Sequence, residues 1–148
     1  MNITNQTKII KASDKERPSI IALLESEKLP VKDLPDSLDN FFVAFDYSKV
    51  IGAIGLEKYD THGLLRSMVV NKEYRNKHIA SQLVQHLEDY AITLGIDCLY
   101  LLTEMAPQYF ERKGYQKISR EETPKALQAS SEFSYVCPVS AIVMKKFI

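Results

Sequence analysis

The chain has 148 residues, and its 19 lysines and arginines balance 19 aspartates and glutamates, so its formal net charge is zero. This balance argues against nucleic-acid binding through phosphate neutralisation and against a polybasic membrane surface. Apolar residues form 45% of the chain. None of their runs approaches the ~18 residues that would be needed to span a bilayer. We therefore expect one globular domain over residues 1–148, with neither a nucleic-acid nor a membrane partner.

The cysteine usage predicts a cytoplasmic, reducing location. Cys98 and Cys137 form neither a CxxC pair nor a disulfide framework, and the N-terminal residues 1–7 lack the apolar stretch of a signal peptide. We expect Cys98 to be a core residue and Cys137 to be an ordinary buried or loop cysteine rather than a nucleophile. The three histidines lack ligand spacing, so we predict no metal site.

Hydrophobic periodicity predicts both strands and helices along the chain. The predicted strands cover residues 7–12, 41–45, 50–56, 64–70, 98–103, 115–119 and 139–147. The first predicted helix is capped by Ser13 or Asp14 and runs to Leu24, and the others cover residues 79–94, 106–113 and 124–128. Residues 29–39 are predicted to form a loop. On the 79–94 helix, Glu88 and Asp89 are predicted to lie on a solvated face.

The order of these elements predicts the fold class. Short turns between the three strands from residue 41 to residue 70 favour antiparallel hairpins. The strand, helix and strand between residues 64 and 103 predict a parallel pair joined by a right-handed crossover. We therefore expect an α/β (α+β) fold with a mixed, mostly antiparallel central sheet and helices on its faces.

A short polar loop joins the strand ending at Val70 to the helix beginning at Ile79. The first turn of a helix has unpaired N–H groups and a partial positive charge, which together suit a phosphate or pyrophosphate. Arg75 and Lys77 add positive charge beside it. The segment therefore predicts an anion site.

This loop and helix resemble the Arg/Gln-x-x-Gly-x-Gly/Ala motif of the GNAT family of N-acetyltransferases, and they read here Arg75-Asn76-Lys77-His78-Ile79-Ala80. Residues 106–115 resemble that family's later Ala-x-x-Phe-Tyr-x-x-x-Gly-Phe segment. The element order also fits, so the resemblance covers nearly the whole chain. Residues 55–57, 64–67 and Glu132-Phe133…Cys137-Pro138 further resemble the GNAT branch associated with arsenic-resistance operons.

The resemblance implies a GNAT-type fold and direct transfer of an acetyl group from acetyl-CoA to a small-molecule amine. It also implies that Met68 contacts pantetheine on a splayed strand and that the backbone N–H near Val70 stabilises the developing oxyanion. The residues that it implies for cofactor binding are Met68, Val69, Val70, Arg75, Asn76, Lys77, His78, Ile79, Ala80, Ser81, Tyr109 and Phe110. A homodimer is a candidate state, because dimers are common in the family, although no heptad or apolar stripe specifies one.

The sequence departs from the family pattern at two sites. The family motif usually has glycine at the position of His78, and often also at the position of Asn76. Glycine lets the backbone approach a pyrophosphate closely. The imidazole of His78 either points away from the phosphates or donates to them. Phe110 aligns with the tyrosine that protonates the leaving thiolate in many members, and Tyr109 is about 100° away on a helix. We therefore do not expect Tyr109 to substitute directly.

Three further residues are candidates for the reaction and its acceptor. Glu57 is the best candidate for the general base, because it is predicted to end a strand beside the cofactor-lining strand; the alternative is a solvated acid. Arg66 either binds an anionic part of the acceptor or forms a structural salt bridge. Glu104 either faces the same cleft or is a capping or surface residue.

Two other functions compete with acetyl transfer. A non-catalytic acyl-CoA-binding or sensing module would keep the fold, and the substitutions His78 and Phe110 motivate it. A doubly wound nucleotide-binding fold is disfavoured, since the sequence lacks a Gly-x-Gly-x-x-Gly loop and the parallel crossovers that such a fold needs.

Overall fold

The computed structural model describes residues 7–104, 106–130, 133 and 141–148, which form one seven-stranded sheet with helices packed on it. The strands are β1 (Thr7–Lys11), β2 (Phe41–Asp46), β3 (Lys49–Tyr59), β4 (His62–Val70), β5 (Cys98–Thr103), β6 (Gln116–Ile118) and β7 (Ile142–Phe147). Their order in the sheet is β1-β2-β3-β4-β5-β7-β6. Among the strands that the structure describes, only the pair β4 and β5 is parallel, so the predicted mixed, mostly antiparallel sheet is confirmed.

Within the described residues, four α-helices and three short 3-10 turns connect the strands. The helices are α1 (Arg17–Ser26), α2 (Ile79–Thr93), α3 (Pro107–Arg112) and α4 (Lys125–Gln128), and the turns are Asp14–Glu16, Lys72–Tyr74 and Arg120–Glu122. The predicted helices are confirmed to within a few residues, except that the first begins as a 3-10 turn. Ser13, one of the two predicted caps, forms a capping box with Glu16 at that turn.

The two long helices bury apolar residues on opposite faces of the sheet. Ile79, Leu83 and Leu87 recur at helical spacing and pack α2 onto one face, where Leu56 of β3 is also buried. Leu24 of α1 belongs to a second apolar cluster with residues of β2, β3 and β4. A third cluster joins β4, β5 and β7 to Leu127 and Phe133 and includes the buried Cys98, as predicted for a core cysteine.

Gly55 allows the close packing of α1, β2 and β3. A Cβ atom at this position would lie 2.5 Å from the ring of Phe41, which is fully buried. Real Cβ atoms do not approach an aromatic ring so closely, so any larger residue would displace Phe41. Gly55 therefore fixes how the loop before β2 meets the sheet.

The prediction of a solvated Glu88 is wrong. Its side chain is buried between α2, the segment after α3 and β7, with 6% of the residue exposed. The Nζ of Lys146 lies 3.1 Å from both carboxylate oxygens, and the hydroxyl of Tyr115 donates to Oε2 at 3.0 Å. Glu88 lies among apolar neighbours because these two partners, distant in sequence, satisfy its carboxylate.

Several sequence predictions fall outside the described residues, namely those for Glu132, Cys137, Pro138 and the first two residues of the last strand. The last strand therefore begins at Ile142 in the part of the chain that the structure describes. None of the helices in those described ranges has the length and apolar character required to cross a bilayer.

Candidate active site

Strands β4 and β5 are parallel neighbours that separate partway along their length. Their ladder joins His62 to Cys98, Gly63 to Leu99 and Leu64 to Tyr100. Among the described residues, the C-terminal halves of the two strands pair only with their other neighbours, β3 and β7. A gap therefore opens between these halves, and β4 is splayed as the resemblance implied.

A β-bulge shapes β4 where it borders this gap. Ala53 of β3 pairs with Val69, whereas Gly55 pairs with Arg66, so β4 has one extra residue between these pairs. Ser67 adopts φ 55°, a left-handed conformation that is rare inside a strand. Downstream of the bulge, Met68 packs toward α2 and Val69 packs toward α1.

The bulge leaves the backbone of Val70 directed at the gap. The N–H of Asn71 donates to the carbonyl oxygen of Ile51 on β3 at 2.7 Å. Successive N–H groups of an antiparallel strand point to opposite sides, so the N–H of Val70 points away from β3 and toward β5. This is the orientation that an oxyanion-stabilising N–H requires.

The chain enters α2 through two left-handed residues. Asn76 has φ 65°, and His78, which occupies the N-cap position, has φ 64° and ψ 17°. Left-handed backbone costs a non-glycine residue roughly 1–2 kcal/mol, which explains why the resembling motif favours glycine here. The side chain of His78 makes no capping hydrogen bond and the residue is exposed.

The first turn of α2 can hold an anion. The N–H groups of Ile79, Ala80 and Ser81 precede the first intrahelical bond, in which the N–H of Gln82 donates to His78 O at 3.1 Å. No acidic residue lies in this turn. The side chain of Ile79 is buried in the core, so its backbone N–H is the group it can offer.

The cations that flank this turn are partly paired. Arg75 forms an ion pair with Glu27, which follows the end of α1. The Nζ atoms of Lys77 and Lys49 each lie 5.5 Å from the ring centroid of Tyr74. The predicted positive charge is therefore present, but Glu27 offsets that of Arg75.

The two aromatic residues of α3 differ in position. Phe110 is buried and packs edge-to-face on Tyr109 and Tyr115, with ring centroids 5.3 and 5.6 Å apart. The hydroxyl of Tyr109 lies 3.4 Å from Ser81 Oγ in the first turn of α2. Tyr109 of α3 thus places its hydroxyl at the start of α2, whereas Phe110 is part of the core beneath it.

Glu57 lies inside β3, and the prediction that it ends the strand is wrong. The strand continues to Tyr59, because Asp60 takes φ 59° and permits a two-residue hairpin to His62. Glu57 pairs with Leu64, the last β4 residue paired with β5. Glu57 therefore lies level with the point at which the gap between β4 and β5 begins.

Arg66 joins Glu57 to the loop before β2. Its side chain is 1% exposed; Nη1 donates to Glu57, and Nη2 donates to Asp33 Oδ1 at 2.9 Å. Tyr59 donates its hydroxyl to the other oxygen of Glu57. Of the two roles that the sequence left open for Arg66, the structure shows the structural ion pair, and Glu57 is neither isolated nor fully solvated.

An open groove of about 500 Å³ lies beside these groups. Asp33, Asp39 and Glu57 contribute carboxylates to its walls, and Lys58 contributes one ammonium group. Burial, followed by the hydrogen bond to Glu57, raises the pKa of Tyr59 well above its ordinary value, so this phenol stays protonated as a donor. Arg66 pairs with two of these carboxylates, those of Asp33 and Glu57, so the groove keeps only a small excess of negative charge.

Glu104 is exposed in a bend after β5. The N-cap residue of the adjacent helix α3 is Ala106, whose own N–H donates to Thr103 Oγ1 at 3.1 Å. Sequence reasoning did not single out Asp33 or Tyr59. The acidic composition of residues 29–39 was the signal for the first. The signal for Tyr59 was the alternation of a strand, which places side chains two residues apart, here those of Glu57 and Tyr59, on the same face.

Comparisons with known proteins agree with this geometry. Residues 10–118 match the family model described as the acetyltransferase (GNAT) family. An uncharacterized N-acetyltransferase of Chlorobaculum tepidum is 31% identical over 101 residues, which are 68% of this chain and 64% of that relative. The amino-acid acetyltransferase of Pseudomonas aeruginosa is 34% identical over 64 residues, or 43% of this chain. The match spans only 15% of that relative's length.

Solved structures share the fold at low sequence identity. N-acetylglutamate synthase from Neisseria gonorrhoeae, complexed with coenzyme A and N-acetyl-glutamate, superposes with a TM-score of 0.82 at 18% identity. The match covers 95% of this chain and 35% of that one. A Mycobacterium tuberculosis protein in complex with CoA gives 0.82 at 21% identity, covering 95% and 99%. At these identities the likeness establishes the fold alone.

Proposed function

The chain belongs to the GNAT acetyltransferase family, and on that premise we propose that it transfers an acetyl group from acetyl-CoA to a small-molecule amine. The single observation that carries the proposal is the gap between β4 and β5, with the first turn of α2 and the inward-facing N–H of Val70 beside it. The two cysteines favour a cytoplasmic location. Membership of the arsenic-associated branch and a homodimer remain predictions.

The donors at the gap suit a pyrophosphate-bearing thioester. The pyrophosphate would be held by backbone groups and by two cations. The backbone groups are the N–H groups of Ala80 and Ser81 and the backbone at Asn76 and His78, and the cations are Arg75 and Lys77. The backbone of Met68, Val69 and Val70 would contact the pantetheine arm, with Tyr109 on its other side and the buried Phe110 packed beneath Tyr109. Acetyl-CoA supplies an acyl group activated as a thioester.

Two groups of the chain take part in the transfer of the acetyl group. Glu57 accepts a proton from the amine, which must be neutral to attack directly. The N–H of Val70 donates to the acyl oxygen as negative charge develops there, a contribution worth about 2.7–4 kcal/mol at comparable sites. A thiol pKa of roughly 8.5 lets the thiolate leave near neutral pH without a dedicated acid.

The acceptor class follows from the groove and from the names of the relatives. The small excess of negative charge in the walls favours an amine that is cationic in solution, and several relatives are named as amino-acid acetyltransferases. An acceptor panel therefore begins with amino acids and includes diamines. Glu104 is exposed, so it is a candidate only for the rim of the acceptor site.

Calorimetric titration with acetyl-CoA, followed by a thiol-release assay across this panel, tests the proposal. We expect binding and amine-dependent release of CoA. Replacement of Glu57 by Gln should lower kcat roughly 10²–10⁴-fold while leaving acetyl-CoA affinity unchanged. The Glu25→Gln variant is the matched control, because it removes an exposed carboxylate of α1 that does not line the groove. Absence of acetyl-CoA binding at millimolar concentration would refute the proposal.

A second candidate, the acyl-CoA-sensing module, is favoured by the exposed imidazole of His78 at the N-cap of α2 and by the apolar Phe110. It predicts acetyl-CoA binding without CoA release for any amine. The same two measurements therefore separate the candidates, since turnover with a single amine excludes a purely sensing role.

A further inference from the structure

A single ion pair would not account for all the polar contacts that the side chain of Arg66 makes. Its Nη1 donates to Glu57 and also lies 3.4 Å from the main-chain oxygen of Asp33, while Nη2 reaches the Asp33 carboxylate at 2.9 Å. Its Nε donates to Ser67 Oγ at 3.1 Å. One buried guanidinium thus contacts β3, the loop before β2 and the bulge of β4.

These three contacts reach three different parts of the candidate site. Glu57 is the candidate base, Asp33 lies in the wall of the groove, and Ser67 is the left-handed residue that forms the bulge upstream of Val70. The planar fork of an arginine can bind in all three directions, whereas a lysine ammonium cannot match this geometry. The contacts therefore fix the relative positions of base, groove wall and bulge.

A second arginine anchors the same loop without contacting the base. The Nη2 of Arg17 on α1 donates to the main-chain oxygens of Pro35 and Asp36 at 2.8 and 2.7 Å. Arg17 is partly exposed and also forms an ion pair with Asp14 at 3.6 Å. The loop can thus be disturbed independently of Glu57 and of the bulge.

We propose that Arg66 is a positioning residue of the acceptor site, which aligns the Glu57 carboxylate and holds the Asp33 loop against the bulge of β4. This inference rests on the proposed acetyl transfer. Disturbing Arg66 affects both the alignment of the base and the shape of the groove, so it lowers kcat and raises the KM of the acceptor. The anion site at α2 is built from other residues, so the affinity for acetyl-CoA is unaffected.

The test compares Arg66→Lys with Arg17→Gln in steady-state kinetics on the amine that wild-type protein acetylates. Misplacement of a reacting group by about 1 Å costs roughly 100-fold in rate, which is the loss of acceptor kcat/KM expected for Arg66→Lys. We expect that loss to be divided between kcat and KM. Arg17→Gln should raise the acceptor KM and preserve kcat.

Two measurements independent of turnover complete the test. Calorimetry should give the wild-type acetyl-CoA affinity for both variants, and hydrogen exchange should be faster in residues 31–40 of both. If Arg66→Lys does not fold, Asp33→Asn carries the test, because it keeps Arg66 and Glu57 and should raise the acceptor KM at constant kcat.

The outcomes separate this inference from the function on which it rests. Wild-type protein that binds no acetyl-CoA, or releases no CoA with any amine, contradicts the proposed function itself. Active wild-type protein with unchanged acceptor kinetics in Arg66→Lys overturns the positioning role. An equal loss of acetyl-CoA affinity in that variant also overturns it, because it would indicate general disruption of the fold.

Discussion

The buried carboxylate of Glu88 yields a sharp stability prediction through the replacement of Lys146 by methionine. Methionine retains much of the aliphatic side chain of Lys146 but removes the ammonium that contacts both Glu88 oxygens at 3.1 Å. Glu88 then keeps only the hydrogen bond from Tyr115, at 3.0 Å. The variant therefore leaves a charged group in the core without its counter-charge.

The cost follows from the burial of the two partners. Breaking a buried ion pair by removing one partner costs about 3–5 kcal/mol. The side chain of Lys146 is 27% exposed and that of Glu88 is 8% exposed, so water screens the pair partly and the lower end applies. We expect a loss of about 3 kcal/mol in the free energy of unfolding, out of the 5–15 kcal/mol typical of a domain.

Urea denaturation followed by circular dichroism measures this loss, with Glu88→Gln/Lys146→Met as the matched control. Glutamine keeps an acceptor for Tyr115 without a charge, so the double variant should recover most of the lost stability. A loss below about 1 kcal/mol for Lys146→Met, the size typical of surface pairs, would refute the assignment. A double variant no more stable than the single one would also refute it.

Three further variants test the site and its frame. Gly55→Ala should destabilise the protein by about 1–3 kcal/mol in urea denaturation, because its Cβ would overlap the ring of Phe41. His78→Gly should tighten acetyl-CoA binding in calorimetry by removing the imidazole from the loop, and His78→Ala should tighten it less, because alanine retains the strain of the left-handed backbone; weaker binding by the glycine variant would instead indicate that the imidazole donates to the pyrophosphate. Glu27→Gln should tighten acetyl-CoA binding by up to about fivefold at low salt by freeing Arg75, and a gain that persists in high salt would contradict this electrostatic origin.

Local sequence patterns predicted the strands and helices whose formation depends on residues close together in the chain. The run from Cys98 to Thr103 is short and apolar, as is typical of a buried strand, and the recurrence from Ile79 to Ala91 fits a helix with one apolar face. The change of period between them indicated a parallel crossover, which β4, α2 and β5 form. The loop before α2 indicated an anion site, because helix N-termini carry unpaired N–H groups in any context.

Side chains whose surroundings come from distant segments were predicted poorly. The position of Glu88 on its helix has the spacing that is typical of a surface residue. Its burial is stabilised by hydrogen bonds from Lys146 and Tyr115, which lie far along the chain. The partners of Arg66 were likewise undecided, since Asp33 is 33 residues away in a loop without periodicity. Sequence spacing does not report such contacts.

The sequence by itself indicated the family, the order of strands and helices and the position of the turn that we propose binds an anion, since each depends on residues close together in the chain. Its zero net charge argued against broad classes of partner, but it concealed a basic turn at Arg75 and Lys77 and a groove whose walls include Asp33, Asp39 and Glu57. Only the tertiary structure decided that β7 lies between β5 and β6, that β4 bulges at Ser67 and that Arg66 binds two carboxylates. These features depend on sheet closure and burial, which bring together groups that no local propensity relates.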